Sequence, residues 1–148
     1  MQRPGFVHLL KDRRGTSFIE TAILIPALLM LCCGTMDFAR VFYAGTEVAS
    51  AAYAGAQFGA LTPGNAGNTS GMTQAALNDA SDLGGVTASS SNFCMCNGSK
   101  VDCTSSCSGS VPDGYVSVTA NYTFRTTLPY PGLPQSIALS RTAQMRVQ

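Results

Sequence analysis

The sequence predicts an α+β fold, in which a long amino-terminal helix, membrane-spanning in its first half, is followed by a small antiparallel-sheet head. Residues 22–36 carry no charge, and a helical pattern of apolar residues then continues to Ala60. Two segments near the carboxyl end alternate apolar and polar residues, as half-buried strands do. We expect four regions: a basic leader at 1–15, a transmembrane half-helix at 16–36, an extracytoplasmic half-helix at 37–60 and a head at 61–148.

The apolar segment is long enough to cross a bilayer. From Phe18 to Met36 it has 19 residues, which is about 28 Å of helix against about 30 Å of hydrocarbon. Four basic residues precede it: Arg3, Lys11, Arg13 and Arg14. The positive-inside rule therefore predicts a cytoplasmic amino terminus and a head outside the cytoplasm. A cleaved secretory signal is disfavoured, because no small-x-small pattern follows the apolar run.

Pro26 interrupts the hydrogen bonding of this helix. It has no N–H, so the carbonyl of Ala22 loses its usual donor. Membrane helices tolerate such a proline where a nearby hydroxyl or a neighbouring helix supplies a new donor. The hydroxyl of Thr21 is one candidate for this donor.

The composition disfavours catalysis and nucleic-acid binding. The net charge is +1 and only 11% of the residues are charged, whereas phosphate binding draws on clustered Lys and Arg. The one histidine, His8, lies in the leader, which excludes a histidine-based triad in the head. The sequence has no Walker-type glycine loop. We therefore expect no enzyme activity, no cofactor, no nucleic-acid partner and no small-molecule substrate.

A short motif marks the start of the helix. Gly15 follows two arginines, and Glu20 is the fifth residue counted from Thr16. This arrangement resembles a type IV prepilin leader. The resemblance implies that a prepilin peptidase cuts between Gly15 and Thr16, and that Glu20 compensates the new terminal amine of a neighbouring subunit during assembly. A carboxylate in an apolar bundle is costly unless paired; in the alternative, Glu20 only reaches the membrane interface.

The wider segment resembles the TadE-like family, pseudopilins of the tight-adherence (Flp-type) pilus systems. The resemblance rests on residues 15–26, on Asp37-Phe38 and on the Ala- and Gly-rich stretch 49–60. It implies a pilin-like fold and a minor or accessory role in pilus assembly. The implied partners are the inner membrane, prepilin peptidase, and other pilin subunits or copies of this chain that pack against the long helix.

The outer half of the helix carries an apolar stripe at helical spacing. The members are Phe38, Val41, Phe42, Gly45, Val48, Ala49, Ala52, Tyr53 and Ala56. Small residues among them allow close helix contacts. The stripe is expected to pack on the head, on other subunits, or on both along different turns. The Pro- and Gly-containing segment 61–68 ends the helix, and residues 72–83 are predicted to form a second, short helix.

Four cysteines lie in the head, within the loop 94–107: Cys94, Cys96, Cys103 and Cys107. Outside the cytoplasm, disulfides persist. Because cysteines two residues apart bridge poorly, each of the first pair is expected to join one of the second, and both crossings remain open. Residues 97–99 are predicted to form the turn between the two pairs. A four-thiolate zinc site is the alternative, which the spacing of one and three residues disfavours.

Two strands are predicted clearly and one weakly. Residues 115–125 and 137–147 alternate apolar and polar side chains, with Arg141 as the exception, and residues 86–96 form a weaker candidate.

These observations leave three alternative hypotheses for the function. The first is a membrane-anchored pseudopilin or minor pilin of a tight-adherence pilus, in the bacterial inner membrane or incorporated in the pilus, with its head in the periplasm or outside the cell. The second is an uncleaved, membrane-anchored envelope or binding protein. It is kept open because Thr21 follows Glu20, where processed prepilins of these systems often carry tyrosine. The third is a redox or metal module on the outer cysteines.

Overall fold

The described part of the chain forms one long helix, two short helices and a four-stranded sheet. A computed structural model describes residues 16–107, 109–127, 132 and 134–148. The helices are α1 (Thr16–Ala60), α2 (Pro63–Gly67) and α3 (Thr69–Asp79). The strands are β1 (Thr87–Cys96), β2 (Ser99–Val101), β3 (Asp113–Arg125) and β4 (Ser136–Arg146). The α+β fold with a long amino-terminal helix and an antiparallel sheet is confirmed.

The chain divides into two compact units. The first ends at Ala39, and the second, here called the head unit, runs from Arg40 to Gln148. The outer part of α1 thus belongs to the head unit.

The sheet has the order β2-β1-β3-β4, and every neighbouring pair is antiparallel. Along β3 the side chains alternate as predicted, with Val116, Val118, Ala120 and Phe124 buried. β4 alternates in the same way, with its odd-numbered residues half-buried except for the exposed Arg141. The physical cause is the two-residue period of a strand that has one face on a core and the other in water.

The core of the head unit is built from small side chains of α1. Ala52 and Ala56 are buried against strand β3 and helix α3, where Met72 and Val118 are fully buried. The predicted stripe is only partly correct. Val48, Ala52 and Ala56 face this core, but the aromatic members Phe42 and Tyr53 are 68% and 56% exposed.

The buried face of α1 is rotated around the helix axis from the predicted stripe. On that face, Gly55 and Gly59 allow so close an approach to α3 that no ring would fit. Alanines that the periodicity did not single out, Ala44 and Ala51, take part in the core instead.

The connection after α1 is more regular than predicted. Thr62 caps α2, and its hydroxyl accepts a hydrogen bond from the N–H of Asn65 at 3.2 Å. Pro63 fits the first helical turn, because its missing N–H would have no partner there. Asn68 then caps α3 by accepting from the N–H of Gly71 at 2.9 Å. The helix predicted at 72–83 is therefore α3, which begins and ends earlier than predicted, at Thr69 and Asp79.

Candidate functional site

The predicted processing position lies at the edge of the described chain. Gly15 is outside the described residues, and α1 begins at Thr16. Glu20 is exposed on the first turns of α1, in the company of the exposed apolar side chains of Phe18, Ile19 and Ile23. A charged group at this position would contact whatever surrounds the helix, and in lipid or in a helix bundle it would require a partner.

The inner part of α1 has the properties of a membrane anchor. Its most apolar stretch has a mean hydropathy of 2.0, and none of that stretch is buried within the protein. Exposed residues of this kind, such as Leu24, Leu29 and Leu31, are costly in water and stable in a bilayer. By length and composition, α1 is a candidate single-pass anchor.

Pro26 lies inside α1 and does not end it. The prediction that Thr21 donates to the carbonyl of Ala22 is wrong, because its hydroxyl donates to the carbonyl of Ser17 at 2.8 Å. Its acceptor is therefore not the carbonyl of Ala22. Two cysteines further along, Cys32 and Cys33, are free and exposed on the same part of the helix.

At the start of the head unit, α1 contacts the end of β3 with the residues that follow it, and also the segment after α3. The guanidinium of Arg40 donates to the hydroxyl of Thr127 and lies over the ring of Phe124, 5.4 Å from its centroid. One turn later, the hydroxyl of Tyr43 donates to the carboxylate of Asp82. This hydrogen bond, together with partial desolvation and the negative charge, raises the pKa of Tyr43 to about 12.

The loop 94–107 begins with a tight hairpin. Cys96 pairs with Ser99 across it, and the two residues between them, Asn97 and Gly98, have φ values of 48° and 82°. Positive φ at both central residues of a two-residue loop is typical of the Asn-Gly turn that joins antiparallel strands. The predicted turn is therefore present, and it adds the short strand β2, which the sequence did not indicate.

The structure brings the four outer cysteines together in two pairs. Cys94 lies beside Cys103 with their Cα atoms 5.0 Å apart, and Cys96 lies beside Cys107 at 5.7 Å. Both distances are within the range of protein disulfides. Of the two crossings that the sequence left open, this one joins the first cysteine to the third and the second to the fourth.

The zinc alternative concerns the same four cysteines. Across residues 16–107, 109–127 and 134–148, no group of three or more His, Cys, Asp and Glu side chains is placed to hold an ion. Asp113, which flanks the loop, forms an ion pair with Arg146 at 2.5 Å. Thiols that are paired in disulfides are not available as thiolate ligands.

An apolar cavity of about 400 Å³ opens beside the loop. Its lining includes Phe93, Tyr115, Val147 and the paired cysteines Cys94 and Cys103. The rings of Phe93 and Tyr115 are stacked with centroids 5.6 Å apart, and the ammonium of Lys100 lies 4.4 Å from the Phe93 centroid. Sequence reasoning missed this stack; the cross-strand register of β1 and β3 creates it.

The comparison with protein families agrees with the resemblance seen in the sequence. The model of the family described as TadE-like protein matches residues 15–57. This match supports the predicted resemblance of the long helix to that family. It leaves residues 58–148 outside the matched segment. No curated protein and no solved structure matches the chain.

Proposed function

Residues 15–57 match the TadE-like family, and from that premise we propose that the chain is a membrane-anchored pseudopilin or minor pilin. It takes part in assembly of a tight-adherence (Flp-type) pilus and catalyses no reaction. The observation that carries the proposal is that three features occur in the same segment. The family match covers an apolar half-helix that is not buried within its own chain, and the single carboxylate of that half-helix, Glu20, stands near its start.

The proposed topology follows from charge. Arg13 and Arg14 remain in the cytoplasm, α1 crosses the inner membrane once, and the head unit faces the periplasm or the cell exterior. The proposed disulfides between Cys94 and Cys103 and between Cys96 and Cys107 support this side, since such bonds persist in oxidising compartments.

Glu20 has the proposed role in assembly. A carboxylate near the end of a membrane helix is stabilised when a cation comes within a few ångströms. If prepilin peptidase cuts between Gly15 and Thr16, the new terminal amine of a neighbouring subunit supplies that cation. The partner subunits would also cover the exposed apolar side chains of α1, among them Phe42 and Tyr53.

The processing step is tested by mass spectrometry of the amino terminus after expression with and without a prepilin peptidase. We expect a chain that begins at Thr16 only when the peptidase is present. Gly15→Leu should abolish the cut, while Gly5→Leu, a matched change in the leader, should leave it intact. An intact leader on the wild-type chain in cells that assemble pili would remove the processed-subunit proposal and favour the uncleaved anchored protein.

The assembly step is tested separately. Glu20→Gln, which keeps the shape of the side chain and removes its charge, should prevent incorporation into sheared pili or their assembly. Glu20→Asp should retain part of the function. If Glu20→Gln assembles as the wild type does, the carboxylate is an interfacial residue and the pairing proposal fails.

A further inference from the structure

The outer edge of β4 carries backbone groups that no strand of the described residues pairs with. Among the described residues, β4 pairs only with β3, and it is the last strand of the sheet. The N–H of Val147 donates to the carbonyl of Gly114 at 2.8 Å, which sets the alternation of the antiparallel ladder. Odd-numbered residues of β4 therefore bond to β3. The even-numbered residues direct their N–H and C=O groups outward: Ala138, Ser140, Thr142, Gln144 and Arg146.

This edge lacks most of the devices that keep edge strands from pairing. β4 has 11 residues and contains neither proline nor lysine. Long, regular edges of this kind serve as templates for another strand unless they are short, bulged or charged. The opposite edge of the sheet ends in β2, which has only three residues.

A groove runs beside the free edge. Its volume is about 390 Å³, and its lining includes Tyr53 and Gln57 of α1, Leu61 directly after α1, and Met145 and Arg146 of β4. The lining includes no residue of β3, so the groove lies on the outer side of the sheet. A strand added to β4 would place alternate side chains in this groove, in which Tyr53 is 56% exposed.

The positive charge of the β4 edge favours an acidic partner. Arg141 lies on the same side of β4 as Met145, four residues away, and is exposed. Its guanidinium donates to the carbonyl of Ser140 at 2.9 Å, which is one of the outward acceptors. β4 contains two arginines and no acidic residue, and Arg146 already has Asp113 as its partner. A second copy of β4 would bring another arginine and no carboxylate, which disfavours self-pairing.

We propose that the β4 edge of the head unit binds an extended acidic strand of another polypeptide by strand addition. The incoming strand hydrogen-bonds to the outward groups of Ser140, Thr142 and Gln144. It places an apolar side chain in the groove opposite Met145 and a carboxylate opposite Arg141, four residues further along. Main-chain hydrogen bonds supply affinity, and the groove and the arginine supply specificity. This inference does not depend on the proposed role in pilus assembly.

The test uses the full chain in detergent micelles and a labelled nine-residue peptide. The peptide alternates threonine and valine and has one glutamate in place of the valine that would face Arg141. Fluorescence anisotropy should show saturable binding, at least tenfold weaker when lysine replaces the glutamate. Arg141→Glu should reverse that preference. A peptide N-methylated at alternate positions, which lacks the donors facing β4, should not bind.

A matched pair of variants locates the site. Gln144→Pro removes one outward N–H and leaves the ladder to β3 intact, and we expect at least a tenfold loss of peptide binding. Gln144→Thr keeps the N–H and should bind as the wild type does. Both should keep the wild-type circular dichroism and melting temperature. Equal binding by Gln144→Pro, by the N-methylated peptide or by both charge forms would overturn the proposal. So would a homodimer in the absence of peptide that Gln144→Pro converts to monomer.

Discussion

Gly55 of α1 lies against the backbone of α3 at Met72. A Cβ atom built on Gly55 would be 2.7 Å from the Met72 carbonyl oxygen, 3.0 Å from a methyl of Val118 and 3.1 Å from the Cβ of Ala76. One turn further, a Cβ on Gly59 would be 2.3 Å from the sulfur of Met72. Small residues on this face of α1 thus determine how closely the helix lies to α3 and the sheet.

Gly55→Ala should destabilise the head unit. The nearest obstacle is a backbone oxygen, which cannot move without shifting α3, and overpacking of this kind costs about 1–3 kcal/mol. Gly45→Ala is the matched control, because a Cβ there has nothing within 4 Å and alanine favours the helix by about 0.5–1 kcal/mol. Thermal unfolding of the full chain in detergent should show opposite shifts. Similar melting temperatures for the two variants would contradict the packing described here.

The face of α1 that enters the core is tested by two truncations. Val48 is fully buried, so Val48→Ala should lower the free energy of unfolding by about 2 kcal/mol. Phe42→Ala removes a larger side chain but one that is 68% exposed, and the change should be within about 0.5 kcal/mol. Chemical denaturation of both variants measures the difference. A larger loss for Phe42→Ala would mean that the aromatic residues, rather than the alanines, form the core.

Tyr43 should make stability depend on pH in the alkaline range. Its hydrogen bond to Asp82 raises its pKa from 10.0 to about 12, so the folded state binds the phenolic proton more tightly than the unfolded state does. The contribution is fully present below pH 10 and is lost as the pH rises towards 12. The melting temperature of the wild type should therefore fall more steeply than that of Tyr43→Phe across this interval. Parallel curves for the two proteins would show that the hydrogen bond is absent.

The proposed disulfide pairing predicts thiol counts. Unreduced, denatured wild-type protein should show two free thiols, from Cys32 and Cys33. Cys94→Ser combined with Cys103→Ser removes one bridge and should still show two, at a cost of about 2–4 kcal/mol of stability.

The alternative double variant is the control for the crossing. Cys94→Ser combined with Cys107→Ser removes one cysteine from each bridge. The remaining Cys96 and Cys103 are not paired with each other, so they should titrate together with Cys32 and Cys33 as four free thiols. If this variant shows two free thiols and the first shows four, the bridges cross in the other order. Titration of all six thiols in the wild type would exclude both bridges.

Much of the fold could be predicted because its causes are local. The apolar half of α1 follows from an uninterrupted run of side chains, and the buried face of β3 follows from the alternation of Val116, Val118 and Ala120. The turn at Asn97-Gly98 follows from two residues that accept positive φ. Only part of the candidate site could be predicted in this way: the motif around Glu20 could, because its residues are contiguous in the chain.

The sequence alone determined where the long helix and the three longer strands lie, which part of the chain is apolar enough for a membrane, and that four cysteines are close enough along the chain to pair. Only the tertiary structure decided which cysteines pair, which edge of the sheet has no strand partner among the described residues, and which face of α1 is buried. The physical reason is that local patterns measure hydrophobicity and backbone preference, whereas packing depends on shape. At the contact with Met72 there is room for Gly55 but not for a larger side chain, and the rings of Phe42 and Tyr53 lie exposed on another face of α1.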